Sequence, residues 1–310
     1  MTTALVTGAG GFLAGHLRRV LAGRGTMRIA ASDVRAMRAE EYDAWHEADL
    51  TNAAAARALI ERVEPSIVFH LAGANHGGAA LLHAANVTAV ANVLDAVRAS
   101  APAARVVLIG SAAEYGRVPA DQQPVTEEFH GTPVSDYGRA KHAASVLASL
   151  AAKEWGAHVV VVRPFNAVGP GVAETLVTGA IIRRLRDALA SPAPRSIRMG
   201  TVSSVRDFVA VEDVAEGILA AAERGRPGEA YNLCSGEGHR VSEVLERLLE
   251  FAGGAIAVEF DGGLMKTGEV DALVGSAAKA QRELGWRAST PLESSLRAAW
   301  DATAPAGIAR

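Results

Sequence analysis

Short runs of aliphatic and β-branched residues punctuate this chain, separated by stretches with an apolar residue every third or fourth position. The runs at residues 3–7, 27–32, 66–71, 105–110 and 158–163 are rich in Val and Ile and read as strands. Between them, residues 86–99 set Val87, Val90, Leu94 and Val97 on one helical stripe. Strands alternating with helices in this way predict an α/β fold with a doubly wound parallel sheet, covered on both faces. Ligands bind such sheets beyond the carboxyl ends of the strands. The pattern loosens after Pro164. Ser191-Pro192-Ala193-Pro194 is a break, and Ala252-Gly253-Gly254 and Asp261-Gly262-Gly263 are turns. Elements near 207–223 and 229–233 are expected to return to the main sheet. The division expected is a larger domain of residues 1–166 and 205–234, with a smaller, discontinuous α/β domain of residues 167–204 and 235–310.

Composition narrows the function classes. The 310 residues suffice for one large α/β domain and a smaller one. A formal net charge of -3 offers no long-range attraction for nucleic acid or acidic membranes. The single cysteine, Cys234, excludes an internal disulfide and supplies no metal cluster, so no metal is expected, and the thiol reads as a small buried apolar group. No charged leader precedes an apolar run, and no stretch reaches the ~18 apolar residues of a membrane span. A cytoplasmic enzyme is the expectation.

The first candidate site opens almost at Met1. Leu5-Val6-Thr7-Gly8-Ala9-Gly10-Gly11-Phe12-Leu13-Ala14 reads as a strand running straight into a helix. Unpaired N–H groups at the helix N-terminus, with roughly half a positive charge from its dipole, suit a pyrophosphate. Gly8 and Gly11 keep side chains out of its way, and Asp33 closes the second strand at about the spacing where a carboxylate binds an adenine ribose. These features predict a Rossmann-type dinucleotide site. The Asp33 charge repels a 2′-phosphate and favours NAD; Arg35, two residues on, would accommodate NADP.

The second is Tyr137-Gly138-Arg139-Ala140-Lys141, where Tyr and Lys share a helix face one turn apart. Holding a phenol partly ionised near neutral pH takes a shift of about three units, ~4 kcal/mol. One ammonium about 4 Å away supplies a similar amount at an effective dielectric of 20. Ser111 follows the strand Arg105–Ile109 at its carboxyl lip, where its hydroxyl can bond a substrate oxygen beside the tyrosine; its ordinary alternative is to cap the next turn. His76, in a glycine-flanked loop, reads as a surface histidine or a sugar contact, and His16 and His70 as structural.

With these residues in place the chain resembles the extended short-chain dehydrogenase/reductases of the NAD-dependent epimerase/dehydratase family, enzymes that modify nucleotide-activated sugars. The resemblance runs nearly end to end. It is carried by Thr7-Gly8-x-x-Gly11-Phe12, Asp49-Leu50, His70-Leu71-Ala72-Gly73, Asn86, Ser111 with Tyr115-Gly116, Tyr137 with Lys141, and Arg163-Pro164-Phe165-Asn166. Val205-Arg206-Asp207-Phe208, Tyr231-Asn232-Leu233-Cys234-Ser235-Gly236 and Lys279-Ala280-x-x-Glu283-Leu284-Gly285-Trp286 continue it. Locally it is most similar to GDP-4-keto-6-deoxy-mannose reductases.

The resemblance implies roles. Tyr137 is the acid/base, Lys141 holds the nicotinamide ribose and lowers the tyrosine's pKa, and Ser111 orients the sugar oxygen. Cofactor contacts fall to Gly8, Gly11, Phe12, Leu13, Asp33, Arg35, Leu71, Ala72, Gly73, Asn86 and Pro164, with Asp49 and Leu50 flanking adenine. Glu114, Asn166, Arg206 and Lys266, with Ser111, are expected at the nucleotide-diphosphate sugar. Relatives are usually dimers through a four-helix contact that includes the tyrosine's helix, so a homodimer is expected.

Two departures matter. Ala14 replaces a third glycine, a position that governs helix–strand packing more than phosphate contact. The family's 4,6-dehydratases follow the active-site hydroxyl with an Asp-Glu pair; here those places are Ala112 and Ala113, which disfavours dehydration. The expected activity is redox chemistry at sugar C4, first as an NDP-4-keto-6-deoxyhexose 4-reductase. A 4-epimerase with tightly bound NAD is the alternative, and a sugar-acid or polyol dehydrogenase the third. A catalytically silent NAD(P)-binding sensor is the reading from another class, and the intact Ser111, Tyr137 and Lys141 speak against it.

Overall fold

A computed structural model of the chain describes residues 2–36, 41–200, 202–264 and 270–303. Its larger sheet has seven strands: β1 (Thr2–Thr7), β2 (Met27–Asp33), β3 (Ala44–Glu47), β4 (Ile67–His70), β5 (Arg105–Ile109), β6 (Val159–Pro164) and, later in the chain, β10 (Ala230–Leu233). The spatial order is β10-β6-β5-β4-β1-β2-β3, with every neighbouring pair parallel. The order reverses between β1 and β4, which opens a crevice at the carboxyl end of the sheet.

The inner strands are buried on both faces, as their near-continuous apolar runs require, while the edge strand β3 is only half-buried. Ala4 and Val6 of β1 pack into one core with α1 (Phe12–Arg24), α7 (Val211–Arg224) and α9 (Ala278–Leu284). Leu5, between them, faces the opposite core with α2 (Ala53–Val63), α4 (Ala89–Ser100) and α5 (Asp136–Trp155). A short α3 (Ala79–His83) runs into α4 through a π-helical turn at Ala84–Thr88. Together they make one 22-residue helix, Ala79–Ser100, long and apolar enough to cross a membrane by length and composition. That departs from the expectation of no such stretch. Its apolar stripe, Val90, Val93, Leu94 and Val97, is buried in the core shared with α2 and the sheet.

A second body sits over the crevice. A four-stranded sheet joins β7 (Asn166–Val168), β9 (Val205–Ala210), β11 (Gly238–Arg240) and β13 (Ala272–Leu273), and β8 (Arg195–Met199) pairs in parallel with β12 (Ile256–Phe260). With α6 (Val177–Ala190), α8 (Val241–Ala252) and α10 (Leu292–Asp301) these build a separate core around Ile181, Leu185, Phe208, Leu248 and Trp300. Of the stretch 205–234 expected on the main sheet, α7 and β10 pack there, whereas β9 belongs to the smaller sheet. Conversely α9, expected in the smaller domain, packs into the larger core. Cys234 is fully buried.

Candidate active site

A cavity of about 540 Å³ lies at the carboxyl ends of the strands, walled by both bodies. Its floor is the turn between β1 and α1. Gly8 has φ +64°, and a Cβ there would lie 2.7 Å from the backbone of Ala72. Only glycine lets this turn rest on the chain leaving β4. Gly11 caps α1, with no side-chain cap and no acidic residue in the first turn, so the helix N-terminus faces the cavity with its N–H groups open to an anion. Gly8, Gly11, Phe12 and Leu13 all line it.

The rest of the expected cofactor set divides. Leu71, Gly73, Asn86, Lys141 and Pro164 line the same cavity. Asn86 sits in the π-helical turn, donating to the carbonyls of Ala74 (2.8 Å) and Leu82 (2.9 Å). Its buried Oδ1 takes no hydrogen bond among the described residues, and a Cβ on Gly73 would stand 2.5 Å from it. A bare glycine wall beside an acceptor still to be satisfied fits a polar ligand there. Asp33, Arg35, Asp49, Leu50 and Ala72 lie outside the cavity lining. Asp33 ends β2 with one oxygen accepting Gly10 N–H (3.0 Å) and the other Arg35 N–H (3.3 Å), with the exposed Arg35 Nε 3.7 Å away. A carboxylate so placed keeps lone pairs for a ribose hydroxyl. Asp49 is engaged in its own turn, accepting from Thr51 N and Oγ1, and Leu50 is core.

The chemical end is built where β5 meets α5. After Ile109 the chain forms a single 3₁₀ turn, Ala112–Glu114, capped by Ser111. Helix α5 starts directly against it: Ser135 Oγ accepts Gly138 N–H at 3.0 Å, and a Cβ on Gly138 would lie 2.5 Å from the Ala113 carbonyl oxygen. This close approach puts the Tyr137 phenol on the cavity wall together with Ser111, which acts to lower its pKa. Lys141, one turn on, is 7% exposed and donates from Nζ to the Ile109 carbonyl at 2.8 Å.

The electrostatics correct one expectation. Nζ of Lys141 lies 6.0 Å from the Tyr137 ring centre, and the phenol is raised on balance rather than lowered. Burial pushes Tyr137 up, with Ser111 opposing and Glu114 adding to the rise. Burial pulls Lys141 down to about 8, against the attraction of Glu114. His70, bonded to Thr7 Oγ1 at 2.9 Å, is held down to about 3 by burial and then by Lys141, and is neutral.

On the substrate side, Asn166 and Arg206 line the cavity from the second body, Asn166 donating to the Asp207 carbonyl at 2.7 Å. Lys266 lies outside the described residues. Glu114 is corrected: it is 1% exposed, and its carboxylate is taken up by the Ser111 backbone and by Arg163, so it turns away from the cavity. The wall at residues 173–178 carried no signal in the sequence, and Thr175 there accepts from Asn75 across the mouth at 3.0 Å. His76 bonds Asn75 Oδ1 at 2.7 Å in the same loop.

A dinucleotide turn, with a serine, a tyrosine and a lysine at the end of the adjoining strand, defines an enzyme of the short-chain dehydrogenase/reductase type. The chain belongs to the NAD dependent epimerase/dehydratase family, whose model matches residues 4–234, and its cofactor is NAD(P). It is 29% identical over 239 residues to GDP-6-deoxy-D-mannose reductase of Pseudomonas aeruginosa, covering 76% of this chain and 79% of that protein. Among solved structures, RMD from Pseudomonas aeruginosa complexed with NADPH superposes with a TM-score of 0.84 at 28% identity, covering 97% of this chain and 98% of that one. UDP-glucose 4-epimerase of Thermus thermophilus in complex with NAD superposes with a TM-score of 0.85 at 25% identity, covering 97% and 98%.

Proposed function

We propose that the protein reduces the C4 keto group of a nucleotide-diphosphate-activated 6-deoxyhexose. The observation that carries this is the convergence of Ser111, Tyr137 and Lys141 at the end of β5 with no carboxylate at positions 112 and 113. The site can pass a proton at the sugar oxygen but has no acidic pair with which to expel water across C5–C6. The similarity to a GDP-6-deoxy-D-mannose reductase supports the same reading.

When bound as NADH or NADPH, the cofactor supplies the hydride that C4 gains. Tyr137 gives its phenolic proton to the carbonyl oxygen, which becomes the product hydroxyl. Ser111 donates a hydrogen bond to that oxygen as charge develops on it. Lys141, anchored on Ile109, holds a positive charge beside the phenolate left behind. Gly8, Gly11 and the N-terminus of α1 would hold the pyrophosphate, with Asp33 at the adenine ribose, and Asn166 and Arg206 the sugar diphosphate.

The second reading, a 4-epimerase with resident NAD, draws on the likeness to UDP-glucose 4-epimerase and on the Asp33 carboxylate. Protein purified without added nucleotide, then heated to release any ligand, separates the two. The proposal expects an empty site, and NAD(P)H oxidation on addition of GDP-4-keto-6-deoxy-mannose. Stoichiometric NAD with no net oxidation overturns it in favour of the epimerase. Tyr137→Phe should bind cofactor normally and lose 10²–10⁴-fold in turnover, on the order of what a general acid contributes. For assembly we infer a homodimer across α5, where Val146 and Leu150, four residues apart, expose apolar side chains, and the adjacent α3 exposes Leu81.

A further inference from the structure

Behind the end of β5 lies a buried ion pair that none of these steps uses. One oxygen of Glu114 accepts the Ser111 N–H at 2.8 Å; the other accepts Nε–H of Arg163 at 3.0 Å. Arg163 donates from Nη1 to the Tyr115 hydroxyl at 3.1 Å, and that hydroxyl donates to Asn232 Oδ1 at 2.7 Å. The guanidinium is thus fixed between β6 and β10. The seat is narrow: a Cβ on Gly110 would lie 2.4 Å from Glu114 Oε1. Burying such a pair is weak evidence for stability, since apolar residues of the same volume commonly serve as well or better. Its contacts point instead to the chemistry. Glu114 closes a reciprocal cap with Ser111, whose Oγ accepts Ala113 N–H at 3.1 Å. With that lone pair engaged, the hydroxyl hydrogen is left to face the phenol or a substrate oxygen.

We propose that Glu114 and Arg163 are positioning residues of the reaction, pinning the Ser111 hydroxyl so that its hydrogen is directed into the site, and fixing a negative charge near Tyr137 and Lys141. The charges around the two reacting groups agree with this. At the β5 end, Ser111 and Glu114 act on Tyr137, and Glu114 acts on Lys141, whose Nζ is bonded to the Ile109 carbonyl. From β4, His70 is neutral and adds no charge near neutral pH. Glu114 strengthens proton binding at both Tyr137 and Lys141, against a burial that would otherwise strip the lysine.

The proposal rests on Tyr137 as the proton donor but not on the identity of the sugar, and its first test needs no sugar. Glu114→Gln keeps the shape and an acceptor oxygen for Ser111. With saturating NAD, the tyrosinate absorbance of Tyr137 is followed against pH after subtracting the Tyr137→Phe protein. The expected midpoint lies about one pH unit below wild type. A folded Glu114→Gln protein that titrates at the wild-type midpoint overturns the proposal. Should that variant not fold, Glu114→Leu with Arg163→Met leaves no charge unpaired; it should show about tenfold lower kcat at unchanged KM, on the order of one lost hydrogen bond in the transition state. Wild-type kcat there overturns it equally. A displaced midpoint in a protein that reduces no keto sugar would sustain this inference while removing the proposed function.

Discussion

Replacing Lys141 with methionine should make the protein more stable while abolishing turnover. Lys141 is 7% exposed, and burial holds its pKa down to about 8 from 10.5 even with Glu114 in attraction. At 1.36 kcal/mol per unit, that gap puts ~3 kcal/mol against the folded state. Methionine keeps the unbranched stem and carries no charge. It loses the 2.8 Å hydrogen bond to the Ile109 carbonyl, worth ~1 kcal/mol where water can replace it from the cavity. The variant should therefore be about 2 kcal/mol more stable at neutral pH. The sign of the pH dependence follows from proton counts. Unfolded lysine keeps its proton up to 10.5 and the folded one only to about 8, so between those values the unfolded chain holds more protons and wild-type stability rises with pH. Below about pH 8 both forms are protonated and the whole cost is present. The variant's advantage should be constant there and fade toward about pH 10. Urea unfolding followed by tryptophan fluorescence, at about pH 7 and about pH 10, measures it directly. A variant less stable at neutral pH, or a difference that ignores pH, would refute the reasoning.

Gly8→Val should destroy cofactor binding: the left-handed backbone costs a branched residue ~1–2 kcal/mol, and its Cβ meets Ala72 backbone that cannot swing aside. Fluorescence titration with NADH should show no saturation in a protein that still melts cooperatively; wild-type affinity would contradict the turn's role. Asp33→Ser removes the charge nearest Arg35 and should raise the NADPH-to-NADH ratio of kcat/KM on the order of tenfold, whereas an unchanged ratio would place the 2′-position elsewhere. Leu150→Glu, at a side chain 44% exposed on α5, should convert a dimer to monomer by sedimentation velocity, and a variant that sediments as wild type would move the interface off this face.

What was legible in the sequence is what is local. Strand β1, its glycine turn and helix α1 form within a single run of residues, and the Tyr137–Lys141 spacing needs only a helix. The smaller sheet was not legible, because β7, β9, β11 and β13 are two to six residues each and come from four separated segments, too short for an alternation to register. Glu114 was misplaced for the same reason. Its spacing from Ser111 is compatible with facing a sugar, and only Arg163, 49 residues on, shows that it faces inward. Helical spacing brings Lys141 near Tyr137 without saying where its ammonium points, which is onto the Ile109 carbonyl at the end of β5, nor that burial outweighs it and raises the phenol on balance.

That rise bears on the direction of the reaction. At neutral pH the resting site holds a protonated phenol, pushed up by burial, beside a lysine that is still mostly a cation because its pKa has fallen only to about 8. A site in that state is ready to give a proton and unready to take one. Reduction of a ketone begins by giving, with Tyr137 already in the required form. An epimerase must begin by taking the C4 hydroxyl proton, and so must first ionise a phenol that the protein holds neutral. Bound cofactor and substrate can narrow that difference, but they work against the burial of Tyr137 in one direction and with it in the other. The protonated phenol is thus the form that the proposed reduction starts from.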